Sequence, residues 1–396
     1  MYDHELFLNI LKCAVCGVQF KTTEEVDLQA LWTFAHAHSV TATITPALTD
    51  AGLLTDLEEQ QRWTEELHKN YRKTMMFDVE REAVFRILSE NGIWYAPLKG
   101  IMINHLYPLY GLREFADNDV LIDASLRNKT VPLMESLGYT LDRRSMEVHY
   151  TFSKQPLLEF ELHHTLFVEK ANYKNFYNYF RNIQERLVLQ GNDRYAYQLT
   201  DNDSYLYFLA HAYKHYIEAG TGLKTLADVY LCLQKLPLDR GYIAAEVKKL
   251  GITDFVDTIE SLSQKVFGGK DAFSYASLTE DEREMLDDLI EMGSYGRYDK
   301  SLEARFQEYA AANGKMSRLG YYRSRLIPGM EEYKNRYPFI YRHKALHPVF
   351  YFSRMLRTFA VRRKSVLKEI KAVRKHTLQE KSGQANGSEL DKKDKA

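Results

Sequence analysis

A chain of 396 residues that is 45% apolar and 13% aromatic, with 28 Tyr and 20 Phe, can bury a large core, and its length fits two or three domains. Such a composition excludes an intrinsically disordered protein. A formal charge of -1 gives no global attraction to nucleic acid or an anionic membrane, and three cysteines exclude a disulfide framework.

The opening residues, MYDHELFLNI, have no basic stretch followed by an apolar one, so a cytoplasmic location is expected. No run reaches the roughly 18 apolar residues needed to cross a bilayer. Residues 1–75 read as a helical region, in which Leu6, Ile10, Leu11 and Val15 recur at helical spacing, as do Leu54, Leu57, Trp63 and Leu67. Cys13 and Cys16 form a CxxC in this region with no strand before it. Two buried small apolar side chains are expected there, with a redox or metal pair as the alternative. A long charged helix is expected from Glu65 to Asn91, stopped by a left-handed Gly92.

From Trp94 to Leu199 the texture changes. WYAPL, DVLID, HYTFSK and LLEFELHH are short, rich in β-formers and bounded by turn residues, so residues 76–199 should form a mixed sheet carrying helices, in an α+β chain. Residues 200–376 turn helical again. Asp201 or Asp203 can cap a helix through SYLYFLAHAYKHYIEAG, and Gly220 and Gly222 break it before LKTLADVYLCLQKL. Segment 334–375 holds thirteen Lys and Arg against one acid, interleaved with aromatics. It suits a helix with one core stripe and a solvated basic face, or a weak contact with an anionic membrane or another polyanion. Residues 377–396 are poor in apolar side chains and should form a disordered tail.

The stretch 98–123 carries the most chemistry. Asp117 and Asp119 stand two apart at the head of a strand, which sends both carboxylates to one face. Magnesium suits such a pair, because it takes hard oxygen ligands and leaves positions for substrate phosphates. A solvated acidic turn has the same pattern. Lys99 and Gly100 follow a short strand and open an apolar run, where backbone amides and an ammonium can meet phosphate, and Arg113 can add a bidentate fork. In residues 157–164 Leu158, Phe160 and Leu162 alternate with Glu159, Glu161 and His163, giving one core face and one ionisable face. His211 and His215, four apart on a helix, share a face in the manner of a zinc pair, with His149, His163 and His164 near in sequence. Ala212 stands where a zinc protease would carry its glutamate.

In this order the elements resemble the uncharacterised nucleotidyltransferase family of bacteria, within the polymerase-β-like superfamily. The match rests on Leu98-Lys99-Gly100, Tyr107-Pro108, Arg113, Asp117-Asn118-Asp119 with its apolar tail, Glu161-Leu162-His163, and His211 with Lys214-His215. It runs from about residue 90 to 235 and more loosely to about 358. Two positions depart from the superfamily pattern: Lys-Gly replaces the usual Gly-Ser, and Asn118 stands where an apolar residue is normal.

The resemblance implies a nucleotidyltransferase palm flanked by helical regions, moving a nucleoside monophosphate from an NTP to an acceptor. Two Mg2+ (or Mn2+) ions would be held by Asp117, Asp119 and a third carboxylate, with Glu161 preferred over Glu159. Lys99, Gly100, Arg113, His163, His211, His215 and Lys224 are the expected nucleotide contacts. The helix 204–218 is expected to close the open face of the palm. The acceptor could be a protein, an RNA end or a small molecule.

Overall fold

The computed structural model describes residues 3–294, apart from 143–145, 147, 170 and 219, together with 342 and 343. Apart from those last two residues, the basic segment 334–375 and the tail 377–396 lie outside the described residues.

Four helices lead in: α1 (His4–Cys16), α2 (Leu28–Ala37), α3 (Thr41–Asp50) and α4 (Leu57–Glu90). An aspartate opens three of them, since Asp3, Asp27 and Asp56 each accept from first-turn amides that would otherwise lack a partner. The 34-residue α4 therefore starts at Leu57, a full two turns before the expected Glu65, because Asp56 takes the amides of Glu58 and Glu59. It stops at Asn91-Gly92, where Gly92 has φ 71°. Cys13 and Cys16 lie half-buried on α1 as free thiols, both pushed up first by burial.

The sheet comprises β1 (Tyr95–Pro97), β2 (Asn118–Ile122), β3 (Thr140–Asp142), β4 (His149–Lys154) and β5 (Leu158–His163), in the order β1-β2-β5-β4-β3. β2 and β5 run parallel and the other neighbours antiparallel, so the sheet is mixed. Of these strands β3 is additional to those read from sequence. Between them lie the single turn α5 (Gly100–Ile103) and α6 (Arg127–Ser136). After the sheet come α7 (Lys174–Phe180), the ribbon β6 (Val188–Leu189) with β7 (Tyr197–Gln198), and α8 (Asp201–Glu218). The chain then runs through α9 (Leu223–Lys235), α10 (Arg240–Leu250), α11 (Thr253–Phe267) and α12 (Glu280–Met292).

The period of two along the strands separates two cores. Val120, Ile122, Phe152, Leu158, Phe160 and Leu162 pack with Phe77, Val84 and Leu88 of α4 and Met134 of α6. On the opposite side Leu121 joins a larger core built from α1, α3, α8, α9 and α11. The ionisable residues of β2 and β5 share this second face. Thr200, rather than Asp201 or Asp203, caps α8. Its hydroxyl oxygen accepts from Asp203 N at 3.1 Å and its proton goes to Asp203 Oδ2 at 3.0 Å. Asp203 is thereby drawn inward, where it also receives Arg186 and Tyr242.

Phe160 is fully buried at the centre of the sheet. Phe160→Ala is expected to cost about 3–5 kcal/mol in urea unfolding, whereas Thr200→Ala, which removes a cap, should cost about 1 kcal/mol. Equal losses would contradict this placing of the core.

Candidate active site

The parallel pairing of β2 with β5 sets Asp119 opposite Glu161 and Leu121 opposite His163, while β4 adds His149 opposite His163 on the far side. Asp117 precedes β2 in the same phase as Asp119. One oxygen from each of Asp117, Glu159 and Glu161 lies within 4.8 Å of the others. The structure thus brings together three of the four carboxylates singled out from sequence, Asp117, Glu159 and Glu161.

Asp119 lies deeper, 4% exposed. Its Oδ1 receives Lys99 Nζ at 2.7 Å and meets His163 Nε2 at 2.7 Å. Burial alone would raise the carboxyl, but Lys99 and His163 hold it well below the usual carboxylate range. The partners respond in kind. Burial opposes charge on Lys99 and on His163, yet the Asp119 carboxylate keeps Lys99 above its ordinary value, and bonds to Asp119 and Glu161 lift His163. Lys99 adopts φ 46°, a left-handed backbone that costs a residue with a side chain energy, and its ammonium is thereby aimed at β2.

Asp117 experiences the reverse balance. Burial, then the charges of Asp119 and Glu161, push it up to about 6 against the pull of Lys99 and Lys224. Two lysines border the carboxylate cluster from separate helices. Lys224 on α9 donates to Glu114 O at 3.0 Å and is pushed down to about 8 by burial and Arg113, while Asp228, Glu114 and Asp117 oppose the shift. Lys73 on α4 is lowered by burial against the pull of Asp117, Glu114 and Glu159.

Arg113 has a different placement from the one expected. Its Nε and Nη2 fork onto Asp228 at 2.9 and 2.8 Å, and Tyr107 donates to the same carboxylate at 2.9 Å. Both charges are almost wholly buried, so this bidentate pair spends the fork that was expected to face phosphate. The remaining Nη1 lies where a Cβ on Gly100 would come within 2.8 Å, so a side chain there would push against the guanidinium that Asp228 holds.

His211 and His215 place their Nε2 atoms 3.1 Å apart, which fits two neutral rings sharing one proton. Burial lowers both, followed by Lys99 for His211 and Lys214 for His215, which is brought to about 4. Both rings feel Lys99 and Asp119, so α8 faces the ionisable side of the sheet. Tyr207, one turn before His211, feels the same groups and was not singled out from sequence. His164 turns the other way, to Met146 O and the Tyr150 ring. Asn118 occupies its unusual place because Arg81 Nε of α4 donates to its Oδ1 at 3.0 Å.

A model of an uncharacterised nucleotidyltransferase family matches residues 24–268. No curated protein and no solved structure matches the chain.

Breaking the buried pair by Asp228→Ala is expected to cost about 3–5 kcal/mol, because it leaves the Arg113 charge alone, and Arg113→Met with Asp228→Leu should recover most of that loss in urea titrations. For Asp117 the folded protein binds the proton more tightly than the unfolded chain, whose aspartate titrates near 3.8. Its contribution to stability therefore falls as pH rises from about 4 to about 6. In metal-stripped protein Asp117→Asn should gain about 1–3 kcal/mol at neutral pH and nothing below about pH 4. A loss at neutral pH would show that Asp117 is not crowded by like charge.

Proposed function

The chain belongs to the uncharacterised nucleotidyltransferase family, and from that premise we propose that it transfers a nucleoside monophosphate from an NTP to an acceptor at the carboxylate cleft of its mixed sheet. The observation that carries this reading is the convergence of Asp117, Glu159 and Glu161 within 4.8 Å, beside the buried Asp119. All four offer hard oxygen donors, so Mg2+ or Mn2+ fits this donor set. When bound, such an ion would neutralise phosphate charge and polarise the α-phosphoryl group.

The protein's own residues supply position and charge. Asp117, Glu159 and Glu161, with Asp119 beside them, would hold the metal. Lys224 and Lys73, from opposite helices, attract the triphosphate, while Lys99 keeps Asp119 ionised and oriented. Arg113 acts through Asp228, which fixes α9 and hence Lys224 one turn earlier. His211 and His215, as neutral rings on α8, cover the open face and limit water, which strengthens each charge interaction beneath them. The bond between the α- and β-phosphates breaks, pyrophosphate leaves, and the acceptor's oxygen or nitrogen takes the nucleotide. The acceptor is a protein, an RNA end or a small molecule.

One observation favours a nucleotide-binding or scaffold protein without turnover: Lys99 and His163 already satisfy Asp119. Incubating the purified chain with α-labelled NTPs and cell extract separates the two. Transfer of label is expected, reduced by roughly 100-fold or more in Asp117→Asn and Glu161→Gln. Equal labelling by wild type and both variants would remove the cleft from the reaction, and bound but untransferred NTP would favour the scaffold.

A further inference from the structure

We propose that His149, Glu161 and His163 form a second cation site, one that takes a divalent transition metal rather than Mg2+. It shares Glu161 with the carboxylate site of the proposed function but does not require nucleotide transfer. The three residues come from two adjacent strands. His149 of β4 is in register with His163 of β5, and Glu161 precedes His163 by two, so all three side chains share the ionisable face.

The distances to Glu161 leave room for an ion between the ligand atoms. Glu161 Oε1 is 3.3 Å from His149 Nε2, and Oε2 is 3.4 Å from His163 Nε2. Charge-assisted hydrogen bonds in proteins run nearer 2.7–2.9 Å, roughly, and the neighbouring Lys99–Asp119 bond has that length at 2.7 Å. Two ligands bound at about 2.1 Å with a tetrahedral angle stand about 3.4 Å apart. One ligand atom from each of the three residues lies within 4.8 Å of the others. Nδ1 of His149 and Nδ1 of His163 are buried with no hydrogen-bond partner, whereas His163 Nε2 also meets Asp119 Oδ1 at 2.7 Å, a bond that an entering ion would replace. Both rings thus turn Nε2 toward the carboxylates.

Imidazole decides the metal class. Mg2+ selects oxygen, whereas two nitrogens and a carboxylate suit Zn2+, Co2+ and their neighbours. His163 is 2% exposed, but the His149 side chain is 21% exposed and leaves a path from the cleft. Asp119 Oδ1 holds Lys99 and, until an ion displaces it, His163, so it is not counted as a ligand, and three protein ligands leave a coordination position for an exogenous group. With one oxygen toward each imidazole and the same carboxyl in the Asp117–Glu159 cluster, Glu161 joins the two sites.

The probe is Co2+, added to the chelator-stripped full chain without nucleotide and in excess Mg2+, with visible d–d absorption as the readout. One equivalent should produce the intense bands of a four-coordinate ion. His149→Ala and His163→Gln should each weaken Co2+ binding by more than about tenfold, while His211→Ala and Asp117→Asn keep the bands. His163→Gln is read only if circular dichroism shows it folded, and His149→Ala, at the more exposed position, decides otherwise. No visible band, bands surviving in His149→Ala, bands lost in His211→Ala, or displacement by equimolar Mg2+ would each overturn the proposal. Bands without nucleotide transfer would sink only the proposed activity, and transfer without bands only this site.

Discussion

The buried carboxylate of Asp119 is the charge around which the polar face of the sheet is organised. An ion taken out of water costs several kcal/mol even after relaxation, and here two donors at 2.7 Å offset that cost. Lys99 comes from the turn after β1 and His163 from the end of β5, so the carboxylate of β2 ties together three consecutive positions across the sheet. The left-handed backbone of Lys99 costs about 1–3 kcal/mol. The surrounding hydrogen bonds hold it in place, because Leu98 N continues the β1–β2 pairing onto Asp119 O and Lys99 O receives both Met102 N and Ile103 N.

A second buried pair transmits this order to the helices. Arg113 and Asp228 are both almost inaccessible, and Asp228 lies one helical turn after Lys224 on α9. Holding Asp228 therefore sets the rotation of α9 and points Lys224 at the loop before β2, where it meets Glu114 O. Gly100 belongs to the same assembly, since a side chain there would strike the guanidinium. The Lys-Gly sequence thus serves two interactions at once, an ammonium for Asp119 and an empty space for Arg113.

The sheet was legible wherever apolar and polar residues alternate over five or six positions. DVLID and LEFELH state their phase outright, and that phase sets Asp117 with Asp119 on one side of their strand and Glu159 with Glu161 on one side of theirs, which allows a common cleft without fixing it. The three-residue β3 and the two-residue ribbon β6–β7 are too short to show a period. The start of α4 was misplaced because its charged first turns lack an apolar stripe, although Asp56 followed by Glu58 and Glu59 was a readable cap. Arg113 could be recognised as a cation but not as one already engaged, since its partner is 115 residues away. Lys73 looks like any lysine on a charged helix, and His149 gains meaning only from its register with His163, which the turn at 155–156 and the length of β4 determine.

Charge balance explains why so many cations surround so few square ångströms of sheet. Asp117, Asp119, Glu159 and Glu161 present four carboxyl groups, and Lys99 and His163 answer chiefly the deepest one. Of the outer groups, Asp117 rises to about 6 through burial and then the charges of Asp119 and Glu161, while Lys224 falls to about 8 because burial and Arg113 outweigh the acids near it. Each outer group is thus strained toward neutrality in a different direction. A divalent ion among the carboxylates would relieve Asp117, and a polyphosphate beside the lysines would relieve Lys224. A metal nucleotide, if it is the ligand proposed above, would relieve both together, so its two halves would bind with positive coupling, each lowering the electrostatic cost of seating the other.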